Sequence, residues 1–194
     1  MSSWVKPVTL VGRTIRLEPL CEAHAASLAR HVELDLFLLF AGLRPREASE
    51  RGLADYIRGR LALPMVQSFA MVLQEGGEAV GHSSFMDIQA ENSGLEIGST
   101  WIARPWQGTK VNPEAKLLML AHAFDELGCE RVMLKTDLRN LQSQRGIEKL
   151  GAVKEGVLRR NVRMVDGYMR STVMYSILRE EWPRVRQGLE ARLA

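Results

Sequence analysis

Hydrophobic and polar positions change their spacing several times along this chain, and each change predicts an element. Over residues 8–20, Ile15 and Leu17 alternate with Arg16 and Glu18, and Gly12 interrupts the run, which reads as two short extended pieces. Residues 21–32 are rich in alanine and leucine with few breakers, so a helix is expected there. A second helix is expected over 47–63, where Leu53, Tyr56, Ile57 and Leu61 share one face and Pro64 stops it. The spacing then drops to two. Residues 68–74 and 79–88 predict strands around a Gly76-Gly77 turn, and 95–103 a third strand after Asn92-Ser93-Gly94. Helical spacing returns with Leu117, Leu120, Ala121, Phe124 and Leu127; Asn112 is the expected cap, Pro113 the first helical residue, Glu114 the charge at the positive end, and Gly128 the stop. A strand over 132–136, a helix over 141–150, a hairpin of 153–164 with 169–178 across Asp166-Gly167, and a short charged helix after Pro183 complete the pattern.

Helices, an antiparallel meander, then strand–helix–strand–helix–strands predict a mixed α/β sheet with helices on both faces, because a strand–helix–strand crossover makes a right-handed parallel unit. Ligands enter such sheets beside the parallel portion. No repeat or low-complexity linker divides the 194 residues, so one domain over 1–194 is expected.

Composition narrows this picture little. Apolar residues make up 46% and charged residues 25%, an ordinary globular balance, and the net charge of +3 suits an anionic ligand no better than plain solubility. Cys21 and Cys129 lie far apart, and His24, His31, His82 and His122 form no ligand cluster, so neither a disulfide framework nor a metal is expected. The opening Met-Ser-Ser-Trp-Val-Lys-Pro has no basic segment followed by an apolar one, and the longest apolar run, 36–41, is far below the about 20 residues of a membrane span. A cytoplasmic protein with no membrane partner is expected.

Two stretches carry chemistry. From Glu96-Ile-Gly through Trp101 to Trp106-Gln107-Gly108-Thr109-Lys110-Val111-Asn112, a strand leads into a well-started helix, and such a junction aims backbone N–H groups and a positive dipole end at an anion. Most such junctions bind nothing, so this stretch alone assigns no ligand. The second, Asn140-Leu-Gln-Ser143 with Glu148-Lys149-Leu-Gly151-Ala152, resembles the N-x-x-S-x-x-x-x-E-K-x-G-[FA] segment of GNAT acetyltransferases, in particular the ribosomal-protein N-acetyltransferase (RimJ/RimL-type) branch. The resemblance covers about residues 8–178.

That resemblance implies a mostly antiparallel sheet of about seven strands with a parallel, splayed pair in the middle, and transfer of an acetyl group from acetyl-CoA to a primary amine in a ternary complex, with no metal. It places Gln107, Gly108, Thr109, Lys110, Val111 and Asn112 along the pyrophosphate, and Trp101 and Ile102 on the strand end that pairs with the pantetheine. Asn140 would meet the cofactor arm, Ser143 the thioester sulfur, Glu96 would serve as general base beside the acceptor, and Phe37 and Phe40 would form part of the acceptor wall. Two departures stand out: Lys110 and Asn112 occupy loop positions where the family prefers glycine, and Ile147 stands where many members carry a tyrosine acid. A base matters because an α-amine of pKa about 7.8 is about a quarter neutral near pH 7.3, whereas a lysine is about a thousandth neutral. The implied partners are acetyl-CoA and a protein N-terminus or small amine, with a ribosomal protein and a homodimer among the allowed assemblies.

Plainer readings remain beside these. Asn140 caps its helix, Glu96 is a strand-edge charge, Trp101 and Trp106 are core or rim aromatics, and 36–43 is core packing. An acyl-CoA-binding regulator without turnover and a ribosome- or RNA-associated protein are the alternative functions.

Overall fold

A computed structural model describes residues 4–194; Met1, Ser2 and Ser3, which head the segment read above for a leader, lie outside the described residues. The strands are β1 (Leu10–Val11), β2 (Ile15–Pro19), β3 (Gln67–Leu73), β4 (Ala79–Gln89), β5 (Gly94–Ile102), β6 (Arg131–Asp137), β7 (Val153–Arg163) and β8 (Met169–Leu178). They form one sheet in the order β1-β2-β3-β4-β5-β6-β8-β7. The eighth strand beyond the expected seven is β1, a two-residue edge piece paired with β2.

Among the described residues all pairings are antiparallel except β5 with β6, which run parallel for three residue pairs, Gly94 with Arg131, Leu95 with Val132 and Glu96 with Met133. Past Glu96 the two strands no longer pair, which leaves a gap in the middle of the sheet. The crossover between them is α3 (Val111–Ala121), extended by a wider turn over His122–Glu126 and ended at Gly128 with φ +69°. Glycine suits that left-handed stop because it carries no Cβ.

Helices cover both faces. α3 and α5 (Trp182–Leu193) pack on an apolar layer that includes Leu95, Ile97, Met119, Leu120, Tyr175 and Ile177. On the other face, α1 (Ala25–Ala29) and α2 (Glu50–Leu61) close a smaller layer with Leu28, Phe37, Leu53, Ile57 and Trp101. Burying side chains of this size contributes about 1.5–3 kcal/mol each, so these layers hold the helices to the sheet. Ser49 caps α2 by accepting the Gly52 N–H at 3.1 Å. α4 (Leu141–Leu150) follows β6. Among the described residues no helix is long and apolar enough to cross a membrane.

Several element boundaries differ from the sequence reading. The helix expected over 21–32 is a short 3-10 turn, Glu22–His24, followed by the five residues of α1. α3 begins at Val111, so Asn112 lies inside the helix and Pro113 in its first turn, where the missing N–H leaves no bond unmade. Glu114 does not face the helix's positive end as a solvated charge. It is buried, and its carboxylate accepts the N–H groups of Arg13, Thr14 and Ile15 at 2.6, 2.9 and 2.9 Å, which clamps the β1–β2 turn onto α3. Gly12 belongs to that clamp, because a Cβ there would lie 2.7 Å from the Glu114 carboxyl carbon.

Candidate functional site

The register between β4 and β5 slips twice, between Met86 and Gln89 and again between His82 and Ser84, and the second slip shapes the site. Ser84 pairs with Gly98, but His82 pairs with Trp101, so β5 holds one residue more than β4 across this step, a β-bulge. Ser99 takes the extra room with φ +49°. The bulge lies where β5 has parted from β6, and it sends the hydroxyls of Ser99 and Thr100 to opposite faces of the sheet. At Gly98 just before it, a Cβ would come 2.5 Å from Glu96 Oε1, so any larger residue there would displace that carboxylate.

On the α2 face, Arg60 reaches the bulge. Its guanidinium donates to Ser99 Oγ at 3.0 Å, Ser84 Oγ at 2.8 Å and Ser68 Oγ at 3.5 Å, and Ser68 and Ser84 bond each other at 2.9 Å. Arg60 is 2% exposed, and its Nε has no partner. Beside it, Tyr56 and His82 hydrogen-bond through Oη and Nε2. Burial raises the Tyr56 phenol, and burial with the nearby Arg60 charge drives the His82 imidazole well below its usual range, so both stay neutral.

On the α3 face, Lys116 reaches the same bulge. Its Nζ donates to Thr100 Oγ1 at 2.9 Å and Ser83 Oγ at 3.4 Å, and these two hydroxyls bond each other at 2.7 Å. No carboxylate among the described residues pairs with Lys116, and burial pushes its ammonium down to about 7.

The gap opens into a cleft of about 1140 Å³ whose walls include Glu96, Trp101, Gln107, Asn112, Lys116, Asn140 and Ser143. Glu96, 3% exposed, stands at the last paired position before the strands part, with its Oε2 2.6 Å from Lys135 Nζ. Further along the same face are Asp137, buried and held below the usual carboxylate range by Arg139 despite the opposing effect of burial, and Arg170.

The residues singled out from sequence distribute unevenly around this cleft. Glu96, Trp101, Ile102, Gln107, Asn112, Phe40, Asn140 and Ser143 line it. Asn140 Oδ1 accepts the Ser143 N–H at 2.9 Å, so Asn140 caps α4 as well as facing the cleft. Asn112 Oδ1 is buried with no donor. Phe37 lies in the core, fully buried between Phe40, Tyr56 and Trp101, and backs the cleft wall at Phe40 and Trp101 instead of forming it. Thr109, Lys110 and Val111 are turned away from the cleft. Thr109 Oγ1 bonds Trp106 O at 2.7 Å, and Lys110 Nζ donates to the carbonyls of Leu193 and Ala194 at 2.8 and 3.3 Å. The loop departure at Lys110 also carries no backbone strain: its φ is −66°, and the left-handed loop position is Gly108, at φ +74°. Arg60, Lys116, Lys135 and Arg170 escaped the sequence reading, although Arg60 and Lys116 each interrupt an otherwise apolar helix stripe.

Comparison with known proteins agrees with this fold. The family model described as "Acetyltransferase (GNAT) domain" matches residues 14–153. The Bacillus subtilis (strain 168) protein named "Putative ribosomal N-acetyltransferase YdaF" is 31% identical over 106 residues, 55% of this chain and 57% of that protein, so the match spans little more than half of that relative. The crystal structure of a "putative acetyltransferase" from T. thermophilus is 42% identical, with TM-score 0.91, and covers 99% of this chain and 100% of that one. The Mycobacterium smegmatis RimJ, solved in complex with CoA-disulfide, is 22% identical with TM-score 0.78 over 95% of this chain and 94% of that one, a likeness of fold.

Proposed function

This chain belongs to the GNAT acetyltransferase family, and from that membership we propose that it transfers an acetyl group from acetyl-CoA to a primary amine, either a protein N-terminal α-amine or a small-molecule amine. We read residues 1–194 as one such domain, because a single sheet receives strands from residue 10 to residue 178. The observation that carries the function is the position of Glu96. A nearly buried carboxylate stands at the mouth of the gap between β5 and β6, ion-paired with Lys135 and on the opposite side of the sheet from α3.

The residues present suit the cofactor. Asn112 Oδ1, a buried acceptor without a donor, suits an amide N–H of the pantetheine arm better than a phosphate. Gln107 and the left-handed Gly108 lead into the start of α3, whose positive dipole end favours an anion. Acetyl-CoA supplies the activated acyl group. Glu96 takes the proton from the attacking amine, directly or through water, and the Lys135 ammonium pairs with the carboxylate form that a base requires. Ser143, in the first turn of α4 on the cleft wall, offers a hydroxyl hydrogen bond to the departing thiolate. Ile147, which also lines the cleft, offers no proton.

The test is thermal melting with acetyl-CoA or CoA, followed by free-thiol release against peptides, ribosomal-protein N-termini and small amines. A ligand at 100 times its dissociation constant adds about 2.7 kcal/mol of stability, an easily measured shift in melting temperature. No shift at millimolar CoA would reject the reading.

A further inference from the structure

We infer that the acceptor carries a carboxylate close to its reactive amine, and that Arg60, aided by Arg170, is the charge that recognises it. This inference rests on the acetyltransfer reading above, whose acceptor it specifies. Arg60 is a buried guanidinium with no carboxylate within ion-pair distance among the described residues. Its partners are the hydroxyls of Ser68, Ser84 and Ser99, and its Nε is unpartnered. Hydroxyls satisfy hydrogen bonds but neutralise nothing, and a lone buried charge is costly wherever an apolar side chain of similar length could stand. Arginine cannot escape that cost by losing its proton, so the charge persists.

Arg170 repeats the pattern nearby. It is 6% exposed and donates to Thr172 Oγ1 at 3.2 Å and to the Leu39 carbonyl at 3.4 Å, again with no carboxylate in ion-pair distance among the described residues. Both arginines line the cleft on the face that holds Glu96. Of the carboxylates there, Glu96 is paired with Lys135 and Asp137 with Arg139. This face of the cleft therefore offers a base for an amine and, apart from it, the Arg60 guanidinium without a counter-ion, with Arg170 beside it feeling Asp137 and Glu96 only from beyond ion-pair distance. A ligand that brings an amine and a carboxylate together satisfies both. A planar guanidinium is the side chain suited to a carboxylate, by two parallel bonds or by one.

The carboxylate has two sources, a small amino acid or an acidic side chain next to a peptide N-terminus, and the experiment separates them. Thiol release is measured on matched pairs that differ only in that group: a Ser-Glu against a Ser-Gln N-terminal peptide, and an ω-amino acid against its amide. The expected result is at least about tenfold higher kcat/KM for the charged member of one pair, expressed in KM. Arg60→Met abolishes the preference, and Arg60→Lys keeps part of it. CoA-induced melting shifts stay as in the wild type, because the donor site is across the sheet. Equal rates for both pairs in the wild-type protein, which needs no variant, would overturn the inference, as would a preference that survives in a folded Arg60→Met protein. If CoA binds and no amine turns over, the acetyltransfer reading fails. The anion site is then judged by calorimetric titration of the Ser-Glu peptide in the presence of CoA: binding lost in Arg60→Met upholds it, and no binding overturns it.

Discussion

Two buried cations grip the same bulge from opposite faces of the sheet, and they differ in the one property that matters for a buried charge. Arg60 holds Ser99 from the α2 face at 3.0 Å and Lys116 holds Thr100 from the α3 face at 2.9 Å. Neither meets a carboxylate among the described residues. Lysine answers burial by giving up its proton, and Lys116 is pushed down to about 7. Arginine has no such exit. The α3 face of the bulge thus carries an amine that burial makes ready to lose its proton near neutral pH, while the α2 face keeps a fixed positive charge. One protein has settled the same electrostatic difficulty in two ways, and the face that kept its charge is the one that holds Glu96.

The strongest way to sharpen this contrast is to remove the reactive group from Arg60's face. Glu96→Gln preserves shape but leaves no base, and kcat should fall by about 100-fold. Raising the pH should restore part of the loss, since more of the acceptor then arrives neutral. Wild-type turnover across the pH range in this variant would take Glu96 out of the reaction.

A smaller effect tests the opposite face. In Lys116→Met the thioether chain takes the place of the lysine's butyl stem, and Ser83 and Thr100 still bond each other, so no hydroxyl is stranded. A gain on the order of 2 kcal/mol, about 5 °C in melting temperature, is expected at pH 7. The sign follows from the lowered pKa. Between about 7 and the lysine's ordinary value of 10.5, the unfolded chain binds a proton that the folded one does not. This group therefore makes stability rise with pH through that window, with its full penalty present below it. The rise should vanish in Lys116→Met. An unchanged slope in melts between about pH 7 and 10 would show that the ammonium is solvated in the fold.

The smallest effect separates the cleft from its rim. Lys110→Ala should leave the KM for acetyl-CoA within about twofold, because Nζ is committed to the carbonyls at the end of α5 and the side chain is exposed. A large rise in KM would return Lys110 to the phosphate loop.

How much of this was readable from sequence depends on how local the cause is. Strand alternation, the Asp166-Gly167 hairpin and the strand–α3–strand crossover are written within a few residues of themselves, and each appears where its pattern lies. Asn140 and Ser143 share one helical turn, so their spacing sufficed to place them together. Arg60 and Lys116 left a fainter mark. In α2, Arg60 continues the stripe of Leu53, Tyr56 and Ile57, and in α3, Lys116 lies beside Ala115, Met119 and Leu120, so each is a cation on a buried face. The bulge was beyond reach, because it exists only in the register of two strands. Lys110's hydrogen-bond partners in the fold lie 83 and 84 residues away, where its neighbours in sequence point to phosphate.

Three residue pairs are all that join the β1–β5 half of the sheet to the β6–β8–β7 half among the described residues. In terms of cooperativity, backbone pairing is thinnest at that seam, and the apolar layer under α3 and α5 is what carries the union across it. Backbone amides of β5 that face the gap past Glu96 have no strand opposite them and are the first of that strand to trade their hydrogens with water. A molecule lying in the gap with its own amide groups completes the ladder as a borrowed strand. Occupancy of the cleft then adds backbone pairing along the stretch of β5 where the sheet lacks it.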